Sequence, residues 1–208
     1  MTKKSPSTSV KVKPRKTPRQ SRAGNTIAIL LEAAARVLET KGMAGFNTNA
    51  VAQRAGVSIG SLYQYFPGKD GLIVALCQRE RSAFLAEAQE ALQQPTGQAA
   101  LLHLIQASVQ QQLQRPTLAR LLDFEEGRPE INRELAPFLD DMHGLIRQLL
   151  VHDDIPPQPS VEIASDDIMA IARAMVNAAG ERGEVDREAL AQRISLALFG
   201  YLQMTVAT

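Results

Sequence analysis

Cysteine is nearly missing from this chain. The single one, Cys77, has no second thiol for a disulfide and no CxxC partner for a metal or redox couple, so it reads as a small buried hydrophobe. Long apolar runs are missing too. None approaches the roughly 20 residues that cross a bilayer, and the basic N-terminus leads into no apolar signal core, so a cytoplasmic protein with no membrane association is expected. No segment alternates apolar and polar residues with period two, and no sheet is predicted. The three histidines, His103, His143 and His152, lack the spacing of metal ligands, which leaves no metal site to name. Neither a nucleophile motif nor a paired acid and base is present, so no catalytic residue and no enzyme is expected. Gly60 and Gly68-Lys69 do not make a phosphate loop: seven residues separate the glycines where four are needed, and Asp70 follows the lysine. No cofactor is implied.

Acidic residues are scarce in one part of the chain only. The overall charge is +1, yet residues 1–70 hold 12 Lys/Arg against 3 Asp/Glu, net +9, and residues 71–208 hold 11 against 19, net −8. The first third therefore carries the electrostatic footprint of a polyanion binder, and the remainder repels polyanions.

What is present is helical periodicity. Residues 1–24 contain eight basic residues, three prolines and no acid, and cannot bury enough surface to offset the entropy of ordering; they are expected to be a disordered basic arm. From Thr26 a first helix places Ile27, Leu31, Ala34 and Leu38 on one face and ends at Lys41-Gly42. Capping residues Asn47, Thr48 and Asn49 open a helix of two turns that stops at Gly56. Ser58 caps another, from Ile59 to about Phe66. After Pro67-Gly68 a long helix runs from Lys69 to about Gln93, followed by helices at about 97–114, 117–126, 130–152, 163–180 and 186–204.

The spacing within residues 48–67 predicts a helix-turn-helix. Val51 and the small Ala52 face inward, Gly56 supplies a left-handed turn, and Val57 and Leu62 fill the angle between the two helices. The second helix is left with Ile59, Gly60, Ser61, Tyr63 and Gln64 outward. Hydroxyls suit phosphates, Gly60 allows close approach, and Ile59 can meet a thymine methyl. Lys69 and the backbone N–H groups beside it suit a further phosphate. Tyr63 and Tyr65, as core aromatics of an ordinary helical hairpin, are the competing explanation.

The stretch from Phe46 to Leu72, "FNTNAVAQRAGVSIGSLYQYFPGKDGL", resembles the DNA-binding domain of the TetR family of bacterial repressors. The resemblance is carried by Thr48, Ala52, Ala55, Gly56, Val57, Ser58, Gly60, Leu62, Tyr63, Tyr65, Phe66, Lys69 and Leu72. Val51 replaces the usual isoleucine, and Tyr65 stands where histidine is commonest. The resemblance implies an all-α protein: a three-helix DNA-binding domain over residues 25–70, then a larger effector-binding and dimerisation domain over residues 71–208. It implies that Thr48 binds phosphate, that Ser58, Ile59, Gly60, Ser61 and Tyr63 face the groove, and that Tyr65 and Lys69 hold the flanking backbone. It further implies a homodimer that pairs through its last two helices, about 163–180 and 186–204, and releases a pseudo-palindromic operator when a small molecule binds.

The residues support a dimer separately. Ile168, Ile171, Ala172, Met175 and Ala179 form one stripe, and the last helix is apolar almost all round from Ile194 to Met204, with Ala197 and Gly200 permitting close approach. Such a helix must be covered on two sides, although a fully buried core helix would share the pattern. The effector is not named by the sequence: aliphatic residues between Leu101 and Met175 are the candidate lining. The segment Asp123-Phe124-Glu125-Glu126 reads as a solvated acidic face rather than a site for a cation. A non-specific DNA-coating protein and, more remotely, a helical enzyme using the C-terminal cavity are the alternatives.

Overall fold

A computed structural model describes residues 18–203, with side chains from Gly24 onward. Among them there are helices and turns but no strand, as the missing period-two pattern predicts. Helix α1 spans Pro18–Gly45 and buries Leu31, Ala34 and Leu38 of the face read from the sequence, together with Leu30 and Val37, while Ile27 is exposed. One feature of α1 differs from expectation and one agrees with it. It begins at Pro18, a residue pre-set for a first helical turn, so residues 18–24 are helical where a disordered arm was expected. Residues 1–17 of that arm lie outside the described residues. The helical path is broken at Gly42, whose φ of 60° takes the chain out of the helix where Lys41-Gly42 foretold.

Helices α2 (Thr48–Ala55) and α3 (Ile59–Tyr63) follow, then α4 (Lys69–Gln89) with a single 3-10 turn, Glu90–Gln93, at its end. Beyond Pro95 come α5 (Gly97–Gln114), α6 (Pro116–Glu126), α7 (Pro129–Glu134), α8 (Ala136–Leu150), α9 (Val161–Glu181) and α10 (Arg187–Tyr201). The single helix expected over 130–152 is thus two. Pro137 has no N–H to donate back to the preceding turn, so the chain ends α7 at Glu134, turns at Leu135 and restarts with the proline in the first turn of α8.

Two hydrophobic cores organise these helices. The first joins α1, α2, α3 and the first half of α4, but also takes in Leu118 and Leu122 of α6 and Ile131 and Leu135 around α7. The second joins α5, α8, α9, α10 and the end of α4. Cys77 lies in the first core with no exposed surface, and burial pushes its thiol up to about 12, which keeps it protonated and apolar in character.

Ion pairs stitch the two cores together at α1 and α6. Arg115, between α5 and α6, donates twice to Glu39 at 2.7 Å and once to Glu32 at 3.1 Å, both on α1. Arg128, after α6, donates to Asp70 in the first turn of α4 at 2.9 Å and to Glu125 at 3.0 Å. At the far end of the molecule the loop before α9 is pinned by Asp154, whose carboxylate accepts the N–H groups of Gly97 at 2.7 Å and Gln98 at 2.9 Å. Gly97 must be glycine there: a Cβ would come within 2.5 Å of Ile155 Cγ1.

Candidate nucleic-acid interface and helical cavity

The α2-turn-α3 unit is built by local capping. Asn47 Oδ1 accepts the N–H of Ala50 at 2.9 Å to start α2. Gly56 ends it in the left-handed conformation, φ 69° and ψ 29°, and the next N–H, of Val57, returns to Ala52 O at 3.1 Å. Ser58 Oγ then caps α3, accepting from Ser61 N at 3.1 Å and lying 2.9 Å from Ser61 Oγ. Val51, Ala52 and Leu62 are buried in the first core and Val57 is half-buried against it, so the inner face is the one expected.

The outer face of α3 is open. Ile59 and Gly60 are exposed, and Tyr63 retains 52% of its surface. A Cβ on Gly60 would meet nothing nearer than Ser58 Oγ at 3.9 Å, so no packing inside the protein demands glycine there. The hydroxyls of Thr48 and Tyr63 share a hydrogen bond at 3.2 Å, which brings the start of α2 and the end of α3 side by side. Tyr65 and Lys69 sit differently from Thr48, Ser58, Ile59, Gly60, Ser61 and Tyr63. The Tyr65 ring is half-buried against the first core. Lys69 Nζ donates to Met43 O at 3.3 Å, near the break of α1, and lies 5.8 Å from the centroid of the Phe46 ring. One of its three donors is therefore spent within the protein.

The second feature is a cavity of about 430 Å³ between α4, α5, α6, α8 and α9. Its wall is mostly apolar, formed by residues such as Phe84, Leu104, Phe138, Met142, Ile146 and Ile168, and that size suits a small organic ligand. One end is ionic. Arg81 Nε and Nη2 donate to the two oxygens of Glu126, each at 2.8 Å, and Nη2 also donates to Asp123 Oδ1 at 2.8 Å. Burial works against the Arg81 charge, but Glu126 and Asp123 outweigh it and hold its pKa above the ordinary arginine value. Arg173 on α9 adds a longer bond to Glu126 Oε2 at 3.3 Å. With its amide turned to donate, Asn177 reaches Asp123 Oδ2 at 3.2 Å.

The acidic segment on α6 is therefore no solvated face. Glu125 and Glu126 are buried, Asp123 is half-buried, and only Phe124 points outward, 78% exposed. Asp123 and Glu126 stand three apart, one helical turn, so both reach the cavity, while Glu125 turns to Arg128. Arg81 and Phe84 of α4 lie outside the stretch from Leu101 to Met175 that the sequence offered as lining. Among the described residues no group of three or more His, Cys, Asp or Glu side chains could hold a metal ion. No described helix is long and apolar enough to cross a membrane.

Residues 30–76 match the family of bacterial regulatory proteins, tetR family, and residues 98–202 match the tetracyclin repressor-like, C-terminal domain. Among curated proteins none matches the chain. Among solved structures, the fatty acid degradation regulator FadR from Bacillus halodurans is 18% identical, covering 83% of this chain and 97% of its own, with a TM-score of 0.72. FadR from Bacillus subtilis, in complex with stearoyl-CoA, is 19% identical over 82% of this chain and 96% of its own, with a TM-score of 0.72. A transcriptional regulator from Rhodococcus sp. Rha1 is 21% identical over 87% and 99%, again with a TM-score of 0.72. These likenesses speak for the fold. With a helix-turn-helix that leaves its second helix open, a helical body enclosing a cavity, and matches to both domains of one family, the chain belongs to the TetR family of DNA-binding transcriptional regulators.

Proposed function

We propose that this regulator is a cytoplasmic repressor that binds a pseudo-palindromic operator as a homodimer and is released by a small-molecule effector held in the cavity. The observation that carries this reading is the double membership of α6. Asp123 and Glu126 line the cavity, and Leu118 and Leu122 of the same helix belong to the core of the helix-turn-helix unit. A ligand that moves α6 therefore moves the platform on which α3 stands. Through Arg128 the end of α6 is also tied to Asp70, next to Lys69. In this reading residues 25–70 form the operator-binding domain, with Leu72, Ile73 and Leu76 of α4 completing its core, and residues 71–208 form the effector and dimer domain.

Ser58, Ile59, Gly60 and Ser61 would read the major groove, Thr48 and Tyr63 would hold phosphate, and Tyr65 with the remaining donors of Lys69 would hold the flanking backbone. Dimerisation runs through α9 and α10. The α9 stripe from Ile168 to Ala179 is spent on the domain's own core, as are Ile194, Leu198 and Phe199 of α10. What stays outside is Ile163, Ala170 and Ala174 on α9 and Leu196 and Gly200 on α10, a second apolar face of mostly small residues. The stearoyl-CoA held by the Bacillus subtilis relative supports an effector with a long apolar part, as does the lining of the cavity.

Selection of bound sites from a random duplex library, followed by anisotropy titration across a salt series, tests the proposal. The expected product is a two-fold symmetric site with half-sites about 10 base pairs apart, or a multiple of that, bound on the order of 10³-fold more tightly than random DNA. A ratio near one would leave only a DNA-coating protein.

A further inference from the structure

We propose that the cavity is built for a monoanionic amphiphile, an apolar body carrying one carboxylate-type head that docks on Arg173 with Gln112 as a second donor; this rests on the effector reading above and specifies its chemistry. The argument is an inventory of the polar groups at the ionic end. Its acids are committed. Glu126 accepts two bonds from Arg81 and one from Arg173, and Asp123 accepts from Arg81 and Asn177. A cationic head would meet two carboxylates whose charges are already matched by the guanidinium groups of Arg81 and Arg173.

The donors are less fully used. Arg173 is held only by the 3.3 Å bond through Nη2 and keeps 48% of its side-chain surface exposed, so the rest of its guanidinium fork has no partner among the described residues. Gln112 is 5% exposed, lines the cavity, and its amide makes no hydrogen bond among the described residues. Among the described residues no side-chain N or O atom that is sealed from solvent lacks a partner, so the Gln112 amide keeps a little accessible surface. Gly180 makes room for it: a Cβ there would lie 2.6 Å from Gln112 Nε2. An amide so enclosed carries a desolvation cost that an acceptor on a ligand relieves. The combination of a charged fork, an unpartnered amide and acids already paired with arginine selects a head that accepts hydrogen bonds and carries negative charge. Such a head also competes with Glu126 for Arg173, loosening the ion pair between α9 and the α6 carboxylates and leaving Asn177–Asp123 as the remaining link, so occupancy and the position of α6 are coupled.

Calorimetric titration of the full-length chain at neutral pH with three octyl probes, octanoate, 1-octanol and octylammonium, tests the head. Octanoate should bind about tenfold more tightly than 1-octanol, the size of one charge-assisted hydrogen bond, and octylammonium should bind most weakly. Arg173→Gln should reduce octanoate to the level of 1-octanol and leave 1-octanol unchanged, with Arg173→Lys recovering part of the loss. Equal affinity for the three heads, a preference for octylammonium, or an Arg173→Gln variant that weakens all three alike would overturn the head assignment and leave the cavity as the effector site. Binding of none of them would overturn both. Octanoate that binds as expected but leaves operator affinity unchanged in a parallel anisotropy titration would uphold the head assignment and sink the effector reading instead.

Discussion

Tyr63 and Ile59 are neighbours on α3 with different expected roles, and single substitutions separate them. Tyr63→Phe removes one hydroxyl shared with Thr48 and leaves the half-exposed ring in place. Affinity for operator and for random duplex should fall by similar factors, since a phosphate contact positions without reading sequence. Ile59→Ala should instead alter which operator wins in a competition between variant sites, because an apolar contact to a base edge is sequence-specific. Anisotropy titrations decide both, and a Tyr63→Phe effect confined to the operator would make this tyrosine a base reader. At this scale the caps and turn of the helix-turn-helix were legible in the sequence because each signal is local. Asn47, Gly56 and Ser58 act on groups within five residues of themselves, and the structure shows those bonds. The ionic end of the cavity was not legible: Arg81 meets its partners across 42 and 45 residues, and no local pattern announces such a pairing.

For the elements, two glycines of the helix-turn-helix make opposite predictions. Gly56 sits at φ 69° with open space where a Cβ would go, so Gly56→Ala meets no clash and costs only the left-handed conformation, about 1–2 kcal/mol. Urea denaturation should show that loss, and Gly56→Asn should show less of it, since asparagine tolerates this region better. Gly60 lies inside α3 with room around it, so Gly60→Ala should leave stability unchanged or raise it by up to about 1 kcal/mol. Its operator affinity should nonetheless drop, because the methyl projects from the face proposed to enter the groove. A Gly60→Ala variant with full operator affinity would remove α3 from that role. The misread elements have equally local causes. The break between α7 and α8 follows from Pro137, whose effect was outweighed by the apolar periodicity on both sides of it, and the early start of α1 follows from Pro18, a residue that reads as arm or as first turn with equal ease.

On the scale of the whole molecule, subunit pairing and acid stability are both open to test. Leu196 is 52% exposed on α10, whereas Leu198 beside it is buried in the domain's own core. Leu196→Glu should therefore shift sedimentation towards monomer and weaken operator binding with the fold intact, and Leu198→Glu should unfold the domain. A Leu196→Glu protein that remains dimeric would place the interface elsewhere. Acid should loosen the seam between the two cores. The Arg115 hydrogen bonds hold the Glu39 carboxyl below its ordinary value of about 4.5. Above that pH the carboxylate is ionised folded and unfolded, and the bridge contributes fully. As pH falls through 4.5 the unfolded chain takes up the proton first, and the contribution declines until the folded pKa is passed. Thermal melts of Glu39→Gln should lose part of this acid dependence. The double membership of α4 and α6 also bears on how such a protein diverges. Met142, Ile146 and Ile168 line the cavity from α8 and α9, two helices that give no residue to the N-terminal core, so these positions can vary and retune ligand choice while operator recognition is inherited intact. Arg81, Asp123 and Glu126 lack that latitude, because both of their helices line the cavity and also pack the N-terminal core. Paralogues that acquire new inducers are expected to differ first along α8 and α9 and to keep α4 and α6 longest.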